Sequence, residues 1–300
     1  MGNDKRENLL IKKTAPFLVL LAGILWGTMG LFVRTLNGKG LNTMEIVALR
    51  SIVTCAVLFL FLLVYNRQML KIRLKDVWCF VGAGLFSIVF FNYCYFKAIT
   101  MTSLSVAAVL LYTAPVMVMI MSYFLFHEKF TRRKVVAVVL TFLGCVLVTG
   151  IAGNGAALSP KGILVGLGAG FGYALYSIFG KFAIERGYHS FTISFYTFLM
   201  AAIGSVPLAD REGLITAVVQ EKFMFAFMII FGLVSTVIPY LTYTMGLKYM
   251  ENGKASILAS VEPVVATLLG IVLFHESMTL TGVLGVVLVL VAISICQEKE

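Results

Sequence analysis

The stretch from Ala107 to Thr131, AAVLLYTAPVMVMIMSYFLFHEKFT, recurs 148 residues later as ASILASVEPVVATLLGIVLFHESMT, Ala255 to Thr279. Under that shift Pro115 falls on Pro263, the run Leu125-Phe126-His127-Glu128 on Leu273-Phe274-His275-Glu276, and Thr131 on Thr279. The register extends further: Gly84, Leu85 and Ser87 fall on Gly232, Leu233 and Ser235, and Tyr95 on Tyr243. Without gaps, 18 of the 57 positions from Gly84 to Leu140 are identical. A shared apolar bias produces Leu and Val coincidences, but it does not align Pro, His, Glu, Gly and Ser. The chain is two copies of one unit, so its fold must be built twice.

The unit is made for a membrane. Of the 300 residues, 60% are hydrophobic and 13% charged, about half the charge of a soluble domain. Stretches such as Ala15–Val33, Glu45–Tyr65 and Val135–Ile151 approach the roughly 20 residues needed to cross the hydrocarbon core. Ten spans are predicted at about 14–34, 44–65, 77–97, 103–126, 132–151, 162–182, 190–209, 223–246, 254–274 and 279–296. Turn and cap chemistry separates them: Asn37-Gly38-Lys39-Gly40, Ala152-Gly153-Asn154-Gly155, Glu251-Asn252-Gly253, Ser159-Pro160, and Thr131 before a helical run. The charged N-terminal residues lead into an apolar segment too long for a signal peptide, which is read as the first span. The expected division is a tail at 1–13, one repeat at 14–151, a second at 162–296 and a tail at 297–300.

Five spans per unit is an odd number, so the second copy enters from the opposite face. The fold class is therefore an all-α polytopic membrane protein, ten transmembrane helices forming two inverted five-helix repeats around a central cavity. With the N-terminus inside, 17 of the 24 Lys and Arg lie on the inner side and six on the outer, while Arg50 lies within a span. That bias predicts two cytoplasmic termini in the cytoplasmic membrane of a prokaryote. It also accounts for the net charge of +10 without a nucleic-acid partner. The five cysteines lie in or beside apolar segments with no CxxC spacing, as small buried hydrophobes do.

The duplicated Pro…Glu unit, Ala48-Leu49-Arg50 in span two and Leu25-Trp26-Gly27 in span one resemble the drug/metabolite transporter superfamily, and within it the ten-helix EamA-type family. The resemblance covers about 14–296. It implies a cavity lined by spans one, three, four, six, eight and nine, and a carrier of small metabolites, with amino-acid and metabolite exporters among the relatives.

Glu262, about eight residues into span nine beside Pro263, comes near the midplane by helix rise. Its repeat mate is Ala114, so symmetry did not demand a carboxylate. It reads as a proton-titrating or amine-binding group, or else as a carboxyl kept neutral and hydrogen-bonded between helices. Arg50 reads as a group for a substrate anion and for coupling, or as a structural, snorkelling arginine beside Glu45. Pro115 and Pro263 each remove a mid-span backbone hydrogen bond, which lines a cavity or simply kinks a helix. Trp26, Asn92, Tyr93, Tyr112, Tyr173, Tyr176, Tyr240 and Tyr243, with the repeat-matched Ser87 and Ser235, supply aromatic and polar lining for an amphipathic or cationic solute; Tyr and Trp also populate membrane interfaces. Half of the aromatics and amides are expected to face the cavity.

His127-Glu128 and His275-Glu276 read as span ends, with each Glu favourable ahead of the next helix. Inversion separates the two pairs, so they cannot share a metal. Gly23 and Gly27 on span one, and Gly166/Gly170 and Gly168/Gly172 on span six, permit close helix approach. There is no Walker motif, HExxH or nucleophile elbow, so no catalytic residue, metal or cofactor is predicted. The expected function is a secondary or facilitative transporter of small organic metabolites, an amino-acid or metabolite exporter working by alternating access. An importer or exchanger of phosphorylated or sulfonium compounds is the alternative, and a membrane enzyme or channel a more distant one. Its partners are a small-molecule substrate, the lipid bilayer and protons; it is a monomer or a homodimer.

Overall fold

The computed structural model describes residues 2–149, 159–210 and 222–297, with the side chains of 2–12, 222 and 223 left undescribed. The predicted turn at 152–155, the loop charge Arg211 and the C-terminal Lys299 lie outside the described residues. Nine described helices are long and apolar enough to cross a membrane. They are α1 (Lys13–Gly38), α2 (Thr43–Tyr65), α3 (Leu74–Met101), α4 (Leu104–Phe126), α6 (Pro160–Glu185), α7 (Ser190–Leu208), α8 (Met224–Leu247), α9 (Asn252–Phe274) and α10 (Leu280–Gln297). The fifth predicted span is a shorter helix, α5 (Arg132–Val148), of 17 residues. Its first turn, Arg132-Arg133-Lys134, is charged, and its end adjoins undescribed residues.

Side chains cap the helix starts, Thr131 and Ser159 as the sequence predicts. Thr131, Ser159 and Thr279 accept the N–H of Lys134, Gly162 and Gly282, and Asn42 with Glu45 forms a reciprocal capping box on α2. Contacts between helix ends set direction. Glu128, after α4, bonds the first residues of α9, and Arg34 in α1 meets Glu276, after α9, on the other face. Repeat mates α4 and α9 thus run in opposite directions, as inversion requires.

Helix packing follows the symmetry. α2 packs on α7, α5 on α10, α1 on α8 and, matching the last pair, α6 on α3. All four pairings cross between copies, so the halves interlock instead of forming separate bodies. Irregularities also come in pairs. A π-helical segment occupies Gly82–Val89 in α3 and another Leu233–Val237 in α8, which is the same repeat position. Such segments loosen the hydrogen-bond ladder and re-aim side chains. α4 breaks at Tyr112-Thr113 and restarts at Ala114, while α9 breaks at Ser260-Val261 and restarts at Glu262.

The breaks follow from the prolines. Pro115 and Pro263 cannot donate to Leu111 O and Ala259 O, which frees a carbonyl in each helix. Each broken turn is met by a glycine of the partner copy, and these glycines are themselves repeat mates. A Cβ on Gly23 would lie 2.7 Å from Ala259 O, and one on Gly170 would lie 2.7 Å from Leu110 O and 3.3 Å from Leu111 O. The small-residue pattern on spans one and six serves these close approaches. After the breaks, α4 and α9 both end on a left-handed histidine, His127 (φ 55°) and His275 (φ 54°). The N–H of Glu128 and of Glu276 then donate to Ser122 O and Gly270 O, each at 3.2 Å, which satisfies a terminal carbonyl. One break has no counterpart. α1 is interrupted at Thr28, whose hydroxyl donates to Leu25 O at 2.7 Å, whereas its mate α6 runs unbroken from Pro160 to Glu185.

Candidate functional site

A narrow cavity lies where the broken helices meet the π-helical ones. Its walls come from six helices: Trp26 of α1; Ser87, Ile88 and Phe91 of α3; Ala114 and Val118 of α4; Tyr173, Tyr176 and Ser177 of α6; Tyr240 and Tyr243 of α8; Ser256 and Ala259 of α9. These are the six spans that the resemblance implies. The space admits water-sized centres over about 20 Å³, enough for one or two waters. A solute of metabolite size needs the walls to part.

The walls are held by an aromatic cluster. Trp26 lies 5.1 Å from Tyr240, 5.2 Å from Tyr243 and 6.3 Å from Tyr173 between ring centroids. Tyr176 and Phe198 each meet Tyr240 edge-on at 4.8 Å. Rings in such tilted contact present edges and faces to whatever lies between them. Two hydroxyls are already used between α6 and α8. Tyr176 shares a 2.7 Å hydrogen bond with Thr244, and Tyr243 one of 2.7 Å with Ser177. Those tyrosines tie helices together as well as lining the space.

Glu262 opens the second half of α9. Its Oε2 accepts the Tyr173 hydroxyl at 2.9 Å. A carboxylate in the first turn of a restarted helix is favoured by the helix dipole, so the proline break supplies part of what holds it in an apolar interior. Glu262 is not itself among the lining residues; it reaches the cavity through Tyr173, which is. Tyr112 is partly buried and within electrostatic reach of Glu262. Pro115 and Pro263 are buried at their breaks, facing protein and not lipid.

Other predicted residues lie away from the cavity. Tyr93 is 49% exposed on the outer side of α3; it sits one residue round the helix from Asn92, so the two cannot share a face. Asn92 is buried, and its amide donates to Ile88 O at 2.7 Å within its own helix. Ser235 lies behind the wall, 3.3 Å from the Thr28 hydroxyl, although its mate Ser87 lines the space. The two serines therefore play unlike parts. Arg50 is buried at 2% exposure and donates from Nη1 to Met29 Sδ at 3.3 Å. Phe91, Ser177 and Ser256 line the space as well and are not among the predicted residues. Ser177 was traceable as the neighbour of Tyr176 on a cavity helix, whereas Ser256, mated to Ala108, carried no signal.

Glu128 has a role beyond preceding the next helix, where Thr131 is the cap: it spans to the other copy. Its two oxygens accept the N–H of Asn252 at 2.7 Å and of Gly253 at 3.2 Å, the first turn of α9. Asn252 also donates to Ser122 at 3.1 Å, and Lys134 pairs with Glu251 at 2.7 Å. Burial pushes the Glu128 carboxyl up from its ordinary range against the pull of those N–H groups. Its mate Glu276 instead pairs with Arg34 at 3.0 Å in the open, with the two side chains 57% and 59% exposed, while Ser103 caps the start of α4. The α4 and α9 ends are thus clasped on one face and apart on the other.

Among the described residues no group of three or more His, Cys, Asp or Glu is placed to hold a metal. Residues 13–150 and 160–296 each match the EamA-like transporter family. A protein of Archaeoglobus fulgidus named as an uncharacterized transporter is 30% identical over 291 residues, covering 94% of this chain and 95% of that one. The uncharacterized transporter YxxF of Bacillus subtilis is 27% identical over 308 residues, covering 100% and 94%. A solved crystal structure superposes with a TM-score of 0.79 over 95% of this chain and 96% of its own, at 18% identity, a likeness of fold.

Proposed function

The chain belongs to the EamA-like transporter family, and on that premise we propose that it exports amino acids or related small metabolites across the cell membrane by alternating access, with Glu262 as the coupling group. The observation that carries this reading is the hydrogen bond to Glu262, at the break of α9, from Tyr173 on the wall of a cavity shared by both copies. A carboxyl there can exchange its proton for the ammonium of a solute, and either state neutralises it in an apolar interior. The one-sided clasp at Glu128 supports the cycle. If each copy can take the packing of the other, loss of the Glu128 bonds and a matching clasp by Glu276 on the start of α4 would exchange which face is closed. In this reading both termini, and the clasped face, lie in the cytoplasm.

The test is Glu262→Gln in proteoliposomes. Flux driven by an imposed proton gradient is lost, while counterflow exchange of solute continues. Proton-driven transport at the wild-type rate in that variant refutes the coupling role.

A further inference from the structure

Two buried side chains, Trp26 on the cavity wall and Arg50 outside its lining, carry donors with no acceptor. Trp26 lines it at 7% exposure, and its indole N–H has no partner. Arg50, at 2% exposure, leaves Nε and Nη2 without partners, and its Nη1 contact is the weak one to Met29 sulfur. Met29 packs against the buried cluster that contains Trp26 and Tyr240. Tyr240 touches Trp26 and lies within electrostatic reach of Arg50 and of Glu262.

Arginine keeps its charge in proteins, and a buried guanidinium without a counter-charge is among the costliest arrangements in an apolar interior. Among the described residues no carboxylate bonds to it. Indole and guanidinium donate and cannot accept, so what completes this site is an oxyanion and not another donor. Resting on the transport reading above, we propose that Arg50 and the Trp26 N–H form a carboxylate subsite of the solute pathway, covered by Met29. A thioether on three rotatable bonds suits a removable cover. With the carboxylate on Arg50 and an ammonium toward Tyr240 and Glu262, the class of solute is an amino acid carried as its zwitterion.

Purified wild-type protein is tested by thermal stabilisation against the L-amino acids, the amines made from them by decarboxylation, and chloride alone. The expected result is that an amino acid stabilises and its amine acts about tenfold more weakly. Arg50→Gln is expected to weaken the amino acid about ten- to a hundredfold and to leave the amine unchanged. Trp26→Phe, which keeps a ring and removes the N–H, weakens it several-fold and decides the matter if the Arg50 variant does not fold. Amines acting as well as amino acids, no response to any amino acid, or an amino-acid response unaltered by both variants would overturn the proposal. Stabilisation by chloride with which amino acids do not compete would also overturn it, giving the site to a halide. The Glu262 flux test reads coupling and the Arg50 and Trp26 variants read the carboxylate subsite, so an amino-acid response unaltered by both variants sinks the subsite and leaves the transport reading standing.

Discussion

Glu128 and Glu276 occupy the same repeat position, follow the same left-handed histidine, and should differ sharply when truncated. In Glu128→Ala, the N–H groups of Asn252 and Gly253 lose their acceptor. Both residues are buried, so water cannot replace it. A stranded buried donor costs roughly 1–3 kcal/mol. Two of them, less the recovered cost of burying a carboxylate, give a loss of about 2–4 kcal/mol. At roughly 2–4 °C per kcal/mol for a large domain, the unfolding midpoint of the detergent-solubilised protein falls by about 4–16 °C. Glu276→Ala removes an ion pair more than half exposed on both sides, worth about 0–1 kcal/mol, and shifts the midpoint by about 4 °C or less. A cysteine at Glu251 should gain reactivity toward a water-soluble maleimide in the Glu128 variant and not in the Glu276 variant. Equal midpoint losses in the two variants would refute the one-sided clasp.

Burial raises the Glu128 carboxyl above its ordinary 4.5, so the folded protein binds that proton more readily than the unfolded chain. Its pH-dependent contribution is full below about 4.5 and is lost as pH rises through the raised value; Glu128→Gln should flatten that segment of the midpoint-against-pH curve. Gly23→Ala and Gly170→Ala push a methyl group into the carbonyls of the opposite break, and each should cost about 1–3 kcal/mol in the same melt. His127→Gly and His275→Gly relieve a left-handed backbone and should hold or raise the midpoint, by up to about 1 kcal/mol; a loss would mean that the imidazoles themselves contribute.

Much of the fold was legible in the chain because its signals are local or periodic. Apolar run length predicts the spans, Thr131, Ser159 and Thr279 mark helix starts, and the shift of 148 relates the two units before any contact is known. Inversion follows from counting spans. Glu262 was conspicuous for the same reason: a carboxylate in an apolar run where its mate is Ala114. Tyr93 shows where such reading stops, since facing is set by helix rotation and the π-helical segment of α3 alters the phase just before it. Asn92 found its acceptor one turn back in its own helix, a choice that composition does not reveal.

What the sequence determined by itself was the architecture: two like, oppositely threaded bundles, broken at Pro115 and Pro263. Repetition makes equal local geometry, and that is why His127 and His275 agree within a degree of φ. Tertiary structure decided how equal parts are used unequally. Glu128 reaches an N-terminus supplied by the other copy, Glu276 reaches Arg34, and α1 breaks where α6 does not. Those differences depend on which helix ends meet across the bundle, and contacts between residues more than a hundred positions apart leave no mark on local pattern.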